Sequence, residues 1–265
     1  MINSELKTAV LEAGIILKDG FQKNKKVDFK GKVDLVTEFD VKIEKFLIEK
    51  ISKLYPDFQI VGEESNKEID QNNSKKIYID PIDGTTNFVH GIPFCAISIG
   101  FWEENEPTIG IVYNPVLEQF FYAEKNQGAF LNDSQISVSD TSSLLNSLLS
   151  TGFPYTKVEQ GEDFNWSVNS FQNILPFTRD VRRLGSASLD LCYLAQGTFD
   201  GYFELNLQAW DVSAGILIVQ EAGGSISNQY GKKYQIEKDR IIVASNSKIH
   251  SNIIEKLDKT ITIKN

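Results

Sequence analysis

Acidic residues and a glycine lie close together in the segment DPIDGTTN, which begins at Asp80. Asp80 ends a β-rich run, and a tight turn would let Asp80 and Asp83 direct both carboxylates at one place. Gly84 allows the backbone to approach an anion closely, and a helix beginning after Asp83 would add the amides of Gly84 and Thr85. Paired carboxylates repel each other unless a hard cation binds them, and Mg²⁺ accepts carboxylate and phosphate oxygens. Taken alone, this segment is explained equally well as an Asx-type turn that caps a helix.

Two further segments carry acids near glycines: VGEES, with Glu63 and Glu64, and WDVSAG, with Asp211. Adjacent side chains diverge, so only one of the two glutamates need face a shared site. Each segment also has an ordinary explanation, because acidic pairs are common in solvated loops and an aspartate before an apolar run is a frequent helix N-cap. Together, the three segments favour one functional site that binds a metal and an anionic substrate.

Apolar spacing predicts the elements that must position these residues. Apolar side chains recur at helical spacing from Leu6 to Phe21, which predicts a first helix ending near Gly20. A second helix is predicted over 40–54, and the run KKIYID is predicted to be a strand that stops at Pro81.

The order of the predicted elements divides the chain. Strands and hairpins dominate over 77–131, whereas strands alternate with helices from about residue 143. This order predicts an α+β half over 1–142, with the first two acidic segments, and an α/β half over 143–265, with the third. With no repeat and no linker between them, the halves are expected to form one compact unit.

Composition narrows the class of protein. The chain has 265 residues and a formal net charge of −9, which argues against a nucleic-acid partner bound through phosphate neutralisation. Cys95 and Cys192 stand far apart in apolar runs and are interpreted as buried, reduced thiols. An amphipathic N-terminal segment and the lack of a long apolar stretch predict no signal peptide and no membrane span, and therefore a cytoplasmic protein.

The segments GEES, DPIDGTTNFVHGIPF and WDVSAG, in this order and at these separations, resemble the signature set of the inositol monophosphatase family. The resemblance extends over nearly the whole chain. It includes DLVTEFD over 34–40, RRLGSASLDLCYLAQGTFDGYFE over 182–204 and EAGG over 221–224. The sequence is most similar to the bacterial members of that family.

The resemblance implies a layered α-β-α-β-α fold, a homodimer, two or three Mg²⁺ ions and frequent inhibition by Li⁺. The metal-binding positions it implies, with a backbone carbonyl at the isoleucine, are Glu63, Asp80, Ile82, Asp83 and Asp211. Thr85 with Glu63 matches the pair that activates the attacking water, and Asp40 matches a carboxylate that hydrogen-bonds near that threonine. The positions that match the substrate-binding set are Asp83, Gly84, Thr85, Gly185, Ser186, Ala187, Glu204 and Asp211.

These roles imply hydrolysis of small phosphate monoesters. Metal ions stabilise charge on the attacking and leaving oxygens and lower the pKa of a water, whose proton Glu63 with Thr85 can take. In-line attack then releases an alcohol and inorganic phosphate, and no cysteine or serine nucleophile is required. His90 is interpreted as a structural residue in the turn after the motif, and His250 as a surface residue near the C-terminus.

The choice of substrate stays open. The pair Asn87-Phe88 resembles the inositol type, so a myo-inositol monophosphate is the leading small phosphorylated metabolite. The family also includes phosphatases of fructose 1,6-bisphosphate, histidinol phosphate and adenosine 3′,5′-bisphosphate. Two departures bear on the site: Ala209 stands where many bacterial relatives carry proline, and Ser188 makes GSAS of the commoner GSAA. A non-catalytic, transcription-associated binding role is the second class of function, although the acidic chain offers no basic stripe.

Overall fold

The computed structural model describes residues 2–23, 25–30, 35–65, 69–70 and 72–259. Asp34, which begins the segment DLVTEFD, lies outside these ranges, as do residues 66–68 and 71 of a polar stretch that the sequence predicts to be an exposed loop. Within the described ranges the α-helices are α1 Ser4–Phe21, α2 Glu38–Leu54, α3 Thr85–His90, α4 Glu162–Ile174, α5 Ala187–Ala195, α6 Ala209–Glu221 and α7 His250–Lys256. The β-strands there are β1 Val27–Phe29, β2 Leu35–Thr37, β3 Gln59–Gly62, β4 Lys75–Asp83, β5 Ala96–Glu103, β6 Glu106–Asn114, β7 Gln119–Glu124, β8 Ala129–Leu131, β9 Ser134–Ile136, β10 Leu148–Thr151, β11 Asp180–Arg182, β12 Gly201–Leu205, β13 Ser225–Ser227 and β14 Ile241–Ser245.

Two sheets form most of the fold. Among the described residues, seven strands make the first sheet, in the order β3-β4-β5-β6-β7-β8-β9. Only its first pair, β3 with β4, is parallel, and all the other neighbouring pairs are antiparallel. The second sheet has the order β11-β10-β12-β14-β13, with β10 parallel to β11 and β12. Strands β1 and β2 pair separately as a small antiparallel ribbon.

Alternation along the strands divides the core into layers. In β4, Ile77 and Ile79 pack with α1 and α2, while Tyr78 lies in the core that contains α5 and α6. In β12, Tyr202 belongs to that middle core, and Phe203 packs on the other side with α4 and α7. Successive side chains of a strand point to opposite faces, so each sheet is covered on both sides. The layers therefore follow the order α-β-α-β-α, which confirms the predicted α+β fold.

Two glycines let helix α6 lie directly on the first sheet. A Cβ at Gly100 would lie 2.3 Å from the Oγ of Ser213, and one at Gly110 would lie 2.5 Å from the carbonyl oxygen of Ala214. A side chain at either position would push the helix away from the sheet. This close packing holds the first turn of α6, which carries Asp211, near the strand that carries the DPIDG motif.

Strand β4 differs from its prediction at the functional motif. It does not stop at Pro81 but continues to Asp83, and its pairing with β5 shifts register between Asp80 and Asp83. Proline has no amide hydrogen to give to a ladder, and an irregular position of this kind is where a strand tolerates it. The irregularity places both aspartates on one strand end instead of on a strand and a following turn.

Two site aspartates occupy equivalent positions in their helices. Asp40 and Asp211 are each the third residue of a helix, α2 and α6, and each accepts a hydrogen bond from the backbone N–H of the N-cap residue. Asp211 is therefore not the N-cap, which was the ordinary alternative to a role in the site, and α2 begins at Glu38, before the predicted start. An acid in the first turn also interacts favourably with the helix dipole.

The predicted boundary between residues 142 and 143 falls between β9 and β10, hence between the two sheets. Helix α6 from the second half packs against strands of the first sheet, so both halves contribute to the middle core. The division into two halves stays a prediction. No helix in the described ranges is long and apolar enough to cross a bilayer.

Candidate active site

The acidic segments meet around a cavity of about 350 Å³, where β3 and β4 end. The residues predicted from the motifs that line this catalytic cavity are Glu63, Asp80, Ile82, Asp83, Gly84, Thr85, Gly185, Ser186, Ala187, Glu204 and Asp211. Asp40 does not line the cavity but contacts Thr85 from behind. The fold thus brings together segments from both predicted halves of the chain.

Strand β4 and helix α3 meet at Gly84, whose backbone lies in the left-handed region at φ 91° and ψ 39°. A Cβ at this position would lie 2.9 Å from the carbonyl oxygen of Phe94, so space as well as conformation requires glycine. Helix α3 begins at Thr85, directly after the glycine, and both Gly84 and Thr85 line the cavity. The first amides of a helix have no intrahelical partner, which makes this wall suitable for an anion.

Thr85 is held from two sides. Its Oγ1 lies 3.2 Å from Oδ1 of Asp40 and 3.0 Å from the carbonyl oxygen of Ile82. The Oδ2 of Asp40 accepts hydrogen bonds from the backbone N–H of Thr37, at 2.8 Å, and from its hydroxyl. Burial raises the pKa of Asp40 to about 6, although the Thr37 hydrogen bonds lower it. Asp40 therefore anchors the start of α2 and fixes the direction of the Thr85 hydroxyl.

The carboxylates of the cavity repel one another. Burial raises the pKa of Asp80 well above its usual range, and the charges of Glu63 and Asp83 raise it further. Burial likewise raises the pKa of Asp211, and again Asp83 and Glu63 add to the effect. Like charges in a site of low dielectric favour the protonated forms unless a cation balances them. The cluster is therefore suited to binding cations that each carry more than one positive charge.

Asp83 connects the motif to the second half of the chain. Its Oδ2 accepts hydrogen bonds from the hydroxyl of Ser186, at 2.6 Å, and from the backbone N–H of Ser188, at 2.7 Å. Both donors belong to the first residues of α5 and its N-cap. Ser188 contributes its backbone here, and its side chain does not line the cavity. Ser188, which distinguishes GSAS from the commoner GSAA, therefore lies behind the cavity wall.

Lys30 also lines the cavity, although no motif in the sequence pointed to it. Its Nζ lies 2.6 Å from Oε1 of Glu63 and also contacts Oε1 of Glu64. Burial lowers the pKa of Lys30, but the charges and hydrogen bonds of both glutamates outweigh that effect and raise it. Both glutamates reach the same ammonium group, but only Glu63 lines the cavity, as expected for adjacent side chains. The ammonium group of Lys30 therefore places one positive charge at the edge of the carboxylate cluster.

The donor set fits Mg²⁺ by its chemistry. No three His, Cys, Asp or Glu side chains in the described parts of the chain are arranged to hold a metal ion as they stand. In this arrangement the Oε1 atom of Glu63 contacts Lys30, and Asp211 accepts a hydrogen bond of 2.7 Å from the backbone N–H of Gln208. Every candidate ligand is nevertheless an oxygen, and the mutual repulsion of these carboxylates favours a hard divalent cation.

The opposite wall of the cavity is made by β12 and the loop before α5. Glu204 accepts a hydrogen bond of 2.5 Å from the hydroxyl of Tyr202, and burial raises the pKa of Glu204 to about 7 although this hydrogen bond lowers it. Asn87 joins this wall to α3, since its Nδ2 donates to the carbonyl oxygens of Phe94 and Leu184 at 2.8 and 2.7 Å. A carboxyl facing the cavity is suited to accept hydrogen bonds from the hydroxyls of a polyol.

Several residues named in the sequence analysis lie away from the cavity. Cys95 and Cys192 are buried and unpaired, and burial raises the pKa of Cys95 to about 12. His90 ends α3 and is exposed. His250 is not a surface residue, as predicted, but is half-buried between the hydroxyls of Ser227 and Ser245, at 2.7 and 2.9 Å from its two ring nitrogens.

Comparison with known proteins agrees with this site. The model of the inositol monophosphatase family matches residues 2–262. The inositol-1-monophosphatase of Synechocystis sp. is 40% identical over 253 residues, which are 95% of this chain and 87% of the relative. The fructose-1,6-bisphosphatase/inositol-1-monophosphatase of Aquifex aeolicus is 34% identical over 255 residues, which are 96% of this chain and 94% of the relative.

Solved structures give the same result. The crystal structure of the extragenic suppressor protein suhB from Bartonella henselae superposes with a TM-score of 0.89 at 36% identity, and the match covers 97% of this chain and 98% of that one. Fold, site and relatives together define a phosphoric monoester hydrolase. The chain belongs to the inositol monophosphatase family.

Proposed function

We propose that this chain hydrolyses small phosphate monoesters in the presence of Mg²⁺, and that a myo-inositol monophosphate, converted to inositol and phosphate, is its leading substrate. One observation carries the proposal. The fold gathers Glu63, Asp80, Asp83 and Asp211 from three separate segments around one cavity, beside the turn at Gly84. Carboxylates opposite unpaired helix amides form a place where a cation and a phosphate group can bind together.

Each residue has a role in this proposal. Mg²⁺ would be held by Glu63, Asp80, the backbone carbonyl of Ile82, Asp83 and Asp211. When bound, it would supply positive charge for the phosphate oxygens and lower the pKa of a water. Glu63 and Thr85, which both line the cavity, would accept the proton of that water, and Asp40 would orient the threonine hydroxyl for this role.

The alcohol half of the substrate lies against the opposite wall in this proposal. Gly185, Ser186, Ala187 and Glu204 line that part of the cavity. The carboxyl of Glu204 is positioned to accept a hydrogen bond from a hydroxyl of the alcohol, which favours polyols and sugars over apolar alcohols. The names of the Synechocystis and Aquifex relatives support inositol and fructose phosphates as the first candidates.

A phosphate-release assay tests the proposal directly. Myo-inositol 1-phosphate, fructose 1,6-bisphosphate, histidinol phosphate and adenosine 3′,5′-bisphosphate would be offered with Mg²⁺ and again with EDTA. We expect the highest rate with the inositol ester, and a fall of about 100-fold or more with EDTA that Mg²⁺ reverses. A rate without metal equal to the rate with Mg²⁺ would contradict the proposed cofactor, and no release from any ester would contradict the activity.

Inhibition by Li⁺ that is uncompetitive with substrate is expected under the same proposal. Li⁺ is similar in size to Mg²⁺ but has half its charge, so Asp80, Asp83 and Asp211 should retain it only when phosphate oxygens complete its shell. Initial rates against substrate concentration at several Li⁺ concentrations should give parallel double-reciprocal lines. A competitive pattern would contradict this explanation, and insensitivity to Li⁺ would contradict the expected inhibition without affecting the phosphatase class.

The homodimer and the cytoplasmic location stay predictions. The transcription-associated binding role is the less favoured alternative, because Glu63, Asp80, Asp83 and Asp211 all line one cavity. A pull-down with a variant that lacks one candidate metal ligand would separate the two functions, since a binding role should survive the loss of catalysis.

A further inference from the structure

The residues between β12 and α6 form a short loop, 206–208, that connects two parts of the catalytic cavity. Glu204, on the wall proposed for the alcohol, precedes this loop, and the candidate metal ligand Asp211 follows it. All three loop residues line the catalytic cavity, and all three also line a second cavity of about 580 Å³. In the part of the chain that the structure describes, the loop thus separates two open spaces, so packing contributes little to fixing its position.

The direction of the Asp211 side chain depends directly on this loop. Its Oδ2 accepts a hydrogen bond of 2.7 Å from the backbone N–H of Gln208, and its own N–H donates to the carbonyl oxygen of Gln208 at 3.2 Å. Gln208 is the last residue of the loop and the N-cap of α6. A movement of the loop would therefore change where α6 begins and where the carboxylate of Asp211 lies.

The first residue of the loop, Asn206, is hydrogen-bonded to two charged side chains, and we call Asp163, Asn206 and Arg240 the clamp. Nε of Arg240 donates to Oδ1 of Asn206 at 2.7 Å, and Nη2 of Arg240 donates to Oδ1 of Asp163 at 2.7 Å. Nδ2 of Asn206 donates in turn to Oδ2 of Asp163. The backbone N–H of Asn206 also donates to the carbonyl oxygen of Arg240 at 2.7 Å. Every pair of side chains in the clamp is therefore joined by a hydrogen bond.

Asn206 needs this support because its backbone is in the left-handed region, at φ 62°. Asparagine tolerates that conformation better than most residues, but the conformation persists only where the surroundings fix it. Asp163 and Arg240 provide such surroundings, since their side chains are only 16% and 31% exposed and their hydrogen bond is charge-assisted. Asp163 belongs to the first turn of α4, and Arg240 directly precedes β14. The clamp therefore ties the loop to a helix and a strand whose apolar residues pack in one core.

We propose that the clamp sets the affinity of the site for Mg²⁺, because it holds the loop in the conformation that keeps the carboxylate of Asp211 beside that of Asp83. The inference rests on the proposed function, which places Mg²⁺ at these carboxylates. Asp163 and Arg240 are positioning residues in this proposal. Neither lines the catalytic cavity, so each acts on Asp211 only through the loop.

Calorimetric titration with Mg²⁺, in the absence of substrate, measures this effect without turnover. Arg240→Gln removes the positive charge and with it the ion pair to Asp163. We expect this variant to raise the Kd for Mg²⁺ by about tenfold, as is usual when a group that orients a metal ligand is lost. Because every ligand remains, kcat at saturating Mg²⁺ should change little. The control is Lys7→Gln, which removes an ion pair outside the catalytic cavity. Its lysine is exposed to a similar degree, 33% against 31% for Arg240, and the Kd should stay unchanged.

A second substitution distinguishes positioning from a general loss of stability. Ala209 is the first residue of α6, a place where proline is well tolerated and fixes φ through its ring. Gln208 is already extended, at φ −85° and ψ 166°, as a residue before proline should be. Ala209 also lines the second cavity, which leaves space for the ring. We therefore expect Ala209→Pro, added to Arg240→Gln, to restore most of the lost affinity for Mg²⁺.

Thermal unfolding shows whether each variant is folded, and Asn206→Gly is a second clamp variant that keeps the left-handed backbone and removes only the side chain. Its Kd for Mg²⁺ should rise in the same way. A folded clamp variant with an unchanged Kd would overturn the inference, as would recovery of thermal stability by Ala209→Pro without recovery of the Kd. A wild type that bound no Mg²⁺ would contradict both this inference and the proposed cofactor. The expected changes in Kd without hydrolysis of any ester would contradict only the proposed activity.

Discussion

Replacing Asp83 with asparagine is expected to lower phosphate release by about 1000-fold or more, because a ligand charge of the proposed Mg²⁺ site is lost. The fold should survive. The side-chain oxygen of asparagine can still accept the hydrogen bonds that Asp83 accepts from Ser186 and Ser188. Burial also raises the pKa of Asp83, so a neutral side chain is easier to bury there than a charged one. Thermal stability in the absence of metal should therefore not fall.

A matched control exists elsewhere in the chain. Asp200 is buried to a similar degree, at 6% exposure against 8% for Asp83, and it too accepts hydrogen bonds from a serine hydroxyl and a backbone N–H. Asp200→Asn should leave kcat and the Mg²⁺ titration unchanged, because Asp200 does not line the catalytic cavity. Phosphate release, Mg²⁺ titration and thermal unfolding would be measured for both variants. Near-normal turnover of Asp83→Asn with an unchanged Mg²⁺ titration would disprove the assignment of Asp83.

Local motifs explain why so much of the site is predictable from the sequence. The DPIDG segment combines two acids with the glycine that its backbone requires, and the left-handed conformation of Gly84 agrees with that requirement. The acids of GEES and WDVSAG stand at the ends of elements whose apolar patterns are clear. When glycines and acids mark element ends in this way, the residues that line the cavity can be named before the fold is known.

Contacts between distant parts of the chain were not predictable in the same way. Lys30 reaches Glu63 because a short ribbon brings it across 33 positions of sequence. A lysine in a polar stretch has no pattern that distinguishes this arrangement from a solvated side chain. His250 was misplaced for a related reason, since its two serine partners come from separate strands.

Pro81 shows a different kind of error. Proline is a reliable sign that a regular strand has ended, because it cannot donate to the ladder. Here β4 continues past it through an irregularity in pairing, and this is the place where the strand presents Asp80 and Asp83. The local rule failed at the functional motif, where a regular strand would have pointed the two carboxylates to opposite faces.

Glu63→Gln is expected to reduce kcat by about 100- to 1000-fold, the usual size of a lost general base, while Glu64→Gln should reduce it by less than about tenfold. Comparing these two variants is a stringent test, because the two glutamates have similar surroundings. Both contact the Nζ of Lys30, and the side chains of Glu63 and Glu64 are 17% and 8% exposed. Only Glu63 lines the catalytic cavity and raises the pKa of Asp80 as a close neighbour. Glutamine keeps the shape of either side chain and removes its charge and basicity.

The shared ammonium group makes a third variant necessary, and Lys30→Gln provides it. If a loss in Glu64→Gln arises only because Lys30 has shifted, Lys30→Gln should reproduce that loss, whereas neither variant should approach the effect of Glu63→Gln. The measurements are kcat and the Mg²⁺ concentration for half-maximal rate, with thermal unfolding to show that each variant is folded. If Glu64→Gln proved more damaging than Glu63→Gln in a folded protein, the assignment of the base within the GEES segment would be wrong by one residue. The structure argues for Glu63, because its backbone N–H pairs with the carbonyl oxygen of Ile79 at 3.2 Å and so places it beside Asp80.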